Sequence, residues 1–155
     1  MRVFESSFLV RAPLAAVWQF HSDPAALIRI TPGPFRIFVD SVDRPVRAGS
    51  HIRLSMGFGP LRSRWHLIIA DHQPLVQFID QLLPGEGPFK SWRHTHRFEP
   101  AEGGTRVIDR IEYELPFGWL GRLGGALGGS LAMNVLFSFR QTATKRLLED
   151  ASTRT

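Results

Sequence analysis

Alternating apolar and polar residues mark most of the first two thirds of the chain as β-strand. Residues 2–10 alternate and include aromatic side chains, which is typical of a strand. Similar stretches follow at 35–39, 52–58, 65–69, 76–82, 92–98 and 107–115. Short turns rich in Gly and Pro join most of them, and strands joined in this way pair antiparallel. The pattern predicts an antiparallel sheet of about seven strands.

Three segments have helical patterns instead. Pro13 opens a short helix with one apolar stripe, formed by Leu14, Val17, Trp18 and His21. Asp23 is a typical N-cap and Pro24 a typical first helical residue, so a second short helix should run to about Ile30. Residues 119–150 predict a third helix, far longer than average.

The predicted order of elements is one strand, two short helices, six strands and a long helix, an α+β arrangement. A seven-stranded sheet of this length must curl. Its apolar face needs a cover, and the C-terminal helix is the only large element available. We expect a cavity between the sheet and this helix, within a single domain that spans residues 1–155.

Composition narrows the class of protein. Apolar residues make up 43% and charged residues 21% of the chain, as in a globular protein. The net charge is +5, but the arginines are scattered, which argues against nucleic-acid binding. The chain has no cysteine, so disulfides and thiolate chemistry are excluded. The N-terminal residues lack the pattern of a secretory signal, and we expect a cytoplasmic protein.

Residues 116–139 are apolar and Gly-rich, and their length approaches that of a membrane span. Five glycines between positions 121 and 129 dilute the hydrophobicity, and a charged helix end follows. A covered helix is therefore favoured, with membrane contact as the alternative. The glycines allow three interpretations: close approach of a ligand or partner, tight packing on the sheet, or a delayed helix start.

Several polar groups fall on strand or helix faces that otherwise read as buried. They are His21, Asp80, His94, His96, Asp109 and Tyr113. If the last turn places Phe98 opposite Thr105, His94 faces Asp109. A carboxylate beside an imidazole fixes its tautomer and raises its pKa, as a general base requires. The same pair can also be a structural hydrogen bond, which is the favoured interpretation.

A metal site is a weaker alternative for these residues. His94 and His96 project to one side of a strand, and His21 or Asp109 could be a third ligand. Two histidines on one strand are a weak signal, so we expect no metal and no cofactor. His51, His66 and His72 show no such pattern and are predicted to lie on the surface.

The mixture of aromatic and polar residues on the buried face resembles the lining of a ligand cavity. The predicted ligand-binding residues are His21, Trp65, Phe78, Asp80, Trp92, His94, His96, Phe98, Asp109 and Tyr113. Were the protein an enzyme, the candidate catalytic residues would be His94, Asp109 and Tyr113.

The chain resembles the START-like, or SRPBCC, helix-grip superfamily, in particular its polyketide cyclase/dehydrase-like ligand-binding subgroup. The matching stretches are residues 8–23, 78–80, 87–98 and 104–116. Within them, the Trp-x-His-x-His-x-Phe pattern at 92–98 is the most specific feature. The resemblance implies a helix-grip fold with a cavity that holds lipids, polyketides or other hydrophobic molecules.

Together, residues and resemblance predict a protein that binds a small hydrophobic ligand between the sheet and the C-terminal helix. One alternative is a cyclase or dehydratase that uses the His–Asp pair. A second alternative is lipid handling at a membrane surface. The sequence does not decide between binding and catalysis, nor between a monomer and a homodimer.

Overall fold

The order of elements predicted from the sequence is confirmed. A computed structural model describes residues 1–33, 35–116 and 118–152, with residues 118–130 and 151–152 described as backbone only. Its elements are β1 (Arg2–Val10), α1 (Leu14–Ser22), α2 (Ala26–Arg29), β2 (Phe35–Val42), β3 (His51–Phe58), β4 (Leu61–Gln73), β5 (Gln77–Leu82), β6 (Ser91–Ala101), β7 (Gly104–Glu114) and α3 (Gly118–Ser152).

The strands form one curved antiparallel sheet in the order β1-β7-β6-β5-β4-β3-β2. Each strand from β2 to β7 pairs with its neighbours in sequence, as short turns dictate. β1 is the exception, because it pairs with β7 at the far edge. The two short helices carry the chain from that edge to the opposite one, where β2 lies.

One face of the sheet carries the core. Leu54, Ile69, Val107 and Ile111 are almost fully buried there, whereas the residues next to them in each strand are more exposed and mostly polar. α3 lies against this face, and its Phe137 is buried beside Ile111. The alternation read from the sequence therefore separates the core from the solvent side.

The predicted register of the last hairpin is wrong by two residues. Phe98 lies opposite Val107 rather than Thr105, so His96 faces Asp109 and His94 faces Ile111. The reason is a tight two-residue turn at Glu102 and Gly103, with Ala101 paired to Gly104. Gly103 has a φ of 78°, which glycine adopts at little cost. A shift of two residues keeps every side chain on its predicted face.

The Gly-rich segment 121–129 is helical, because α3 begins at Gly118. A delayed start of the helix is thus the wrong interpretation. What these glycines pack against lies outside the described residues. No helix in the described part of the chain is long and apolar enough to cross a membrane.

Candidate functional site

A cavity of about 680 Å³ lies between the sheet and α3. Most of its wall is apolar and aromatic, with contributions from β3, β4, the segment before β6, and α3. The main apolar lining residues are Leu54, Met56, Trp65, Leu67, Phe78, Phe89, Met133 and Leu136. Trp65 and Trp92 meet edge to face, with ring centres 5.3 Å apart. This wall suits an apolar ligand with aromatic or aliphatic surface.

The mouth of the cavity carries exposed apolar side chains. Phe35, Phe58 and Leu61 all line the cavity, and they are 50%, 54% and 77% exposed. Arg62 also lines the mouth, and its guanidinium lies 4.3 Å from the centre of the Phe38 ring. The mouth is therefore formed largely by β2 and the β3–β4 hairpin.

A cluster of two histidines and two aspartates lies at the inner end of the wall. His94 and His96 occupy alternate positions of β6, so both rings project to the core face. The register places Asp80 of β5 opposite His94 and Asp109 of β7 opposite His96. Three neighbouring strands thus bring four titratable groups together.

The hydrogen bonds in this cluster run diagonally across the strands. His94 Nε2 donates to Asp109 Oδ1 at 3.0 Å, and His96 Nε2 donates to Asp80 Oδ2 at 2.8 Å. Two longer contacts complete the cluster: His96 Nδ1 lies 3.3 Å from Asp109 Oδ1, and His94 Nδ1 lies 3.7 Å from Asp80 Oδ2. Trp92 Nε1 also donates to Asp80, at 3.3 Å.

The two imidazoles of the cluster differ in charge. Burial favours neutral His96, but the carboxylates of Asp109 and Asp80 outweigh it and raise the pKa of His96 to about 9. Burial and the neighbouring His96 hold the pKa of His94 below its ordinary value. Burial alone would raise the pKa of both carboxyl groups, yet the hydrogen bonds from the histidines hold both below their usual range. At neutral pH the cluster has two negative charges and one positive charge.

His21 reaches the same region from α1. Its Nδ1 lies 2.8 Å from the backbone oxygen of Val17, and its ring contacts Phe98. Burial lowers the pKa of His21 to about 4, so the ring is neutral at pH 7.

Most of the predicted site residues line the cavity. These are His21, Trp65, Phe78, Asp80, Trp92, His94 and His96. Asp109 lies behind the two histidines and lines a small adjoining pocket. The structure places Phe98 in the packed core beside Trp18, and Tyr113 in a second core cluster with Ile111.

The sequence analysis missed many of the lining residues, among them His72 and Arg140, whose side chains can be charged. His72 was predicted to lie on the surface, but it lines the cavity and its ring contacts Trp18 at 5.3 Å. Arg140 of α3 lines both the cavity and the small adjoining pocket. The helical spacing of Met133, Leu136 and Arg140 is the sequence signal that could have placed Arg140 on this face.

Three of the cluster side chains could hold a metal ion. Asp80, His94 and His96 each offer a donor atom, and these atoms lie within 4.8 Å of one another. The third side chain is Asp80 rather than His21 or Asp109, the two considered from sequence. His96 Nε2 donates to Asp80 Oδ2 in this structure, so a metal at these three side chains would have to displace that proton.

Comparison with known proteins identifies a family and a fold. A family model described as polyketide cyclase / dehydrase and lipid transport matches residues 10–140. A protein of known structure from Chromobacterium violaceum is 13% identical, with a TM-score of 0.76 over 95% of this chain and 96% of that one. A protein from Thermus thermophilus is 21% identical, with a TM-score of 0.73 over 97% of this chain and 99% of that one. These similarities show the helix-grip fold.

The same fold also occurs within a longer protein. A nucleoside-diphosphate sugar epimerase from Corynebacterium glutamicum is 22% identical, with a TM-score of 0.64. The match covers 97% of this chain and 30% of that one. Among curated proteins, none has a sequence that matches this chain.

Proposed function

Since the chain belongs to the polyketide cyclase/dehydrase and lipid transport family, we propose that it binds a small hydrophobic molecule in the cavity between the sheet and α3. The observation that carries the proposal is the wall itself. It is built from apolar and aromatic side chains, with a few polar groups at one end. Ligand sites typically measure roughly 300–1,000 Å³ and combine such a wall with a small number of polar anchors.

Native mass spectrometry of the purified protein, followed by denaturing extraction, tests this proposal. A bound hydrophobic molecule of defined mass is the expected result. A protein that is empty, and that also fails to bind a panel of fatty acids, sterols and aromatic polyketides, would contradict it.

A matched pair of variants shows whether binding occurs in this cavity. Met133→Trp adds bulk on the face of α3 that lines the cavity. Val135→Trp adds the same bulk on an exposed face, where Val135 is 62% exposed. We expect the first variant to lose most of the binding of any ligand found, and the second to retain it, measured by calorimetric titration. Equal binding by both variants would place the ligand elsewhere.

Catalysis of the cyclase or dehydratase type is the second candidate, and the His94–Asp109 pair favours it. Asp109 accepts the Nε2 proton of His94, so a neutral His94 has a free lone pair on Nδ1. Such a group can act as a general base. If a co-purified molecule is converted by the protein, we expect His94→Ala and Asp109→Asn to abolish conversion while binding persists. Conversion that survives both changes would exclude this base.

Lipid handling at a membrane surface is favoured by the exposed Phe35, Phe58 and Leu61 at the mouth. Flotation with vesicles of phosphatidylcholine and phosphatidylglycerol tests it. Protein that floats with the vesicles, and no longer does so after Leu61→Ser, would support this candidate. Protein that stays at the bottom of the gradient would exclude it.

A further inference from the structure

Arg140 is a partly buried cation without a bonding partner among the described residues. Its Nε is inaccessible to solvent and has no hydrogen-bond partner, and none of the observed ion pairs includes its guanidinium. The guanidinium instead lies 5.2 Å from the centre of the Phe137 ring. Other arginines of this chain, such as Arg97 and Arg110, pair with carboxylates on the surface.

This arrangement is costly unless something else completes it. Arginine does not lose its charge in proteins, and it presents five N–H donors in a rigid fork. Buried polar groups are nearly always hydrogen-bonded, because an unbonded donor forfeits its hydration without compensation. Burial accordingly lowers the pKa of Arg140, an effect that the charges of Asp109 and Asp80 oppose.

The nearby aspartates do not supply the missing bonds. Asp80 already accepts from His96 and Trp92, and Asp109 accepts from His94. Their charges attract Arg140 through space, yet each lies more than hydrogen-bond distance from it. The cluster thus offsets the charge of Arg140 and leaves its donors open toward the cavity.

We propose that the ligand is a hydrophobic carboxylic acid, whose carboxylate binds Arg140 while its apolar body lies along the aromatic wall. This inference rests on the proposed function of the cavity. A carboxylate matches the guanidinium fork with two parallel hydrogen bonds. It also brings a single negative charge, whereas a phosphate group brings up to two, close to the carboxylates of Asp80 and Asp109.

Two pairs of probes test the proposal by calorimetric titration. One pair is dodecanoate, below its micelle concentration, with methyl dodecanoate. The other pair is naphthalene carboxylate with its methyl ester. We expect the wild-type protein to bind the acid of at least one pair about tenfold or more tightly than the ester, since hydrogen bonds to charged groups are among the stronger ones. Arg140→Met should abolish this preference, because the acid should then bind no more tightly than the ester.

Two further variants serve as controls. Arg140→Lys keeps the charge but not the fork, so it should retain only part of the preference. Arg62→Met removes an arginine at the mouth and should leave the preference unchanged, because the guanidinium of Arg62 stacks on Phe38 there. If Arg140→Met does not fold, Arg140→Lys alone carries the comparison.

The outcomes separate this proposal from the one on which it rests. Acid and ester that bind equally well in wild type, or an acid preference that persists in Arg140→Met, overturn the role of Arg140 and leave the cavity intact. Failure of every acid and every ester to bind the wild-type protein counts against the hydrophobic cavity itself. Loss of the preference in Arg62→Met would indicate that the carboxylate of the ligand binds Arg62 at the mouth, and it would overturn the assignment to Arg140.

Discussion

His94 and His96 are two positions apart on one strand, yet they carry different charges. Both rings lie near both carboxylates, but His96 lies closer to them, at 2.8 and 3.3 Å, than His94 does, at 3.0 and 3.7 Å. A positive charge on His94 is disfavoured, because it would have to share the two carboxylates with His96, which is already charged. The cluster therefore carries one excess proton, which lies on His96, and both aspartates are ionised.

The pKa values of His96 and His21 predict a stability optimum. The folded-state pKa of His96 is above its ordinary value of 6.5, so its stabilising effect is complete below 6.5 and disappears as the pH rises through about 9. The contribution of His21 to stability depends on pH in the opposite direction. Its pKa falls from 6.5 to about 4, so protonation favours the unfolded chain as the pH drops through this range.

The free energy of unfolding in urea should fall on both sides of this optimum, along an alkaline limb and an acidic limb. We expect His96→Gln to flatten the alkaline limb, and His21→Gln to flatten the acidic limb. An alkaline limb that is unchanged in His96→Gln would mean that another group causes it.

Replacement of Asp109 by Asn should destabilise the fold. An amide oxygen can still accept from His94, but the change removes the negative charge of Asp109, which is one of the two counter-charges of His96, while Asp80 still pairs with His96. Breaking a buried ion pair costs about 3–5 kcal/mol, and we expect about 3 kcal/mol, the lower end of that range.

The exposed pair Arg97–Glu99 provides the control for this change. We expect Glu99→Gln to cost less than about 1 kcal/mol in the same denaturation experiment. Similar costs for the two variants would mean that the buried cluster contributes little to stability.

At the scale of elements, the alternation of β6 predicts the face of both histidines correctly, and the same holds for Asp80 and Asp109. Side chains alternate between the two faces of a strand, so a register error of two residues leaves each side chain on its predicted face but changes the residue opposite it. The face of each histidine was therefore predictable, and its partner across the strands was not. His72 was mispredicted because the pairing of β4 with β5 shifts between Ile69 and Asp71. A bulge of this kind inserts one residue and reverses which side chains face inward.

Arg140 shows a different limit of sequence reasoning. It begins the charged end of α3, where polar residues point in several directions around the helix. Its burial depends on how α3 lies across the curved sheet. Helical spacing places Arg140 on the same face as Met133 and Leu136, but where that face lies on the sheet is a tertiary property that periodicity does not determine.

The β3–β4 hairpin depends on Gly57. A Cβ atom added at this residue would lie 1.9 Å from the backbone oxygen of Leu61, so the two strands approach too closely for any side chain. We expect Gly57→Ala to destabilise the protein by about 1–3 kcal/mol, measured by urea unfolding. It should also weaken ligand binding, because Gly57 lines the cavity near the mouth.

Gly33→Ala is the matched control for this glycine. A Cβ atom at Gly33 has no heavy atom within 4 Å, and we expect no measurable effect on stability or binding. If Gly57→Ala leaves stability and binding unchanged, the hairpin accommodates the added methyl group without cost.

At the scale of the whole molecule, the cavity leaves the centre of the protein unfilled by its own side chains. A molecule bound only to the folded state stabilises it by mass action, by about 2.7 kcal/mol at a hundredfold excess over Kd. We therefore expect protein stripped of bound molecules to melt at a lower temperature than protein that retains them. Adding the extracted molecules back should raise the melting temperature to its original value, measured by differential scanning calorimetry. Identical melting temperatures would contradict an occupied cavity.

The pairing of β1 with β7 also has a consequence for the order in which the molecule forms. Arg2 lies opposite Tyr113 and Val10 opposite Thr105, so this edge joins segments roughly a hundred residues apart in the chain. Contacts so distant in sequence slow folding, because a large loop must close before they contribute any stability. During synthesis, β1 leaves the ribosome first but has no strand to pair with until β7 has followed. The hairpins from β2 to β6 can form earlier, and the first strand made is among the last to join the sheet.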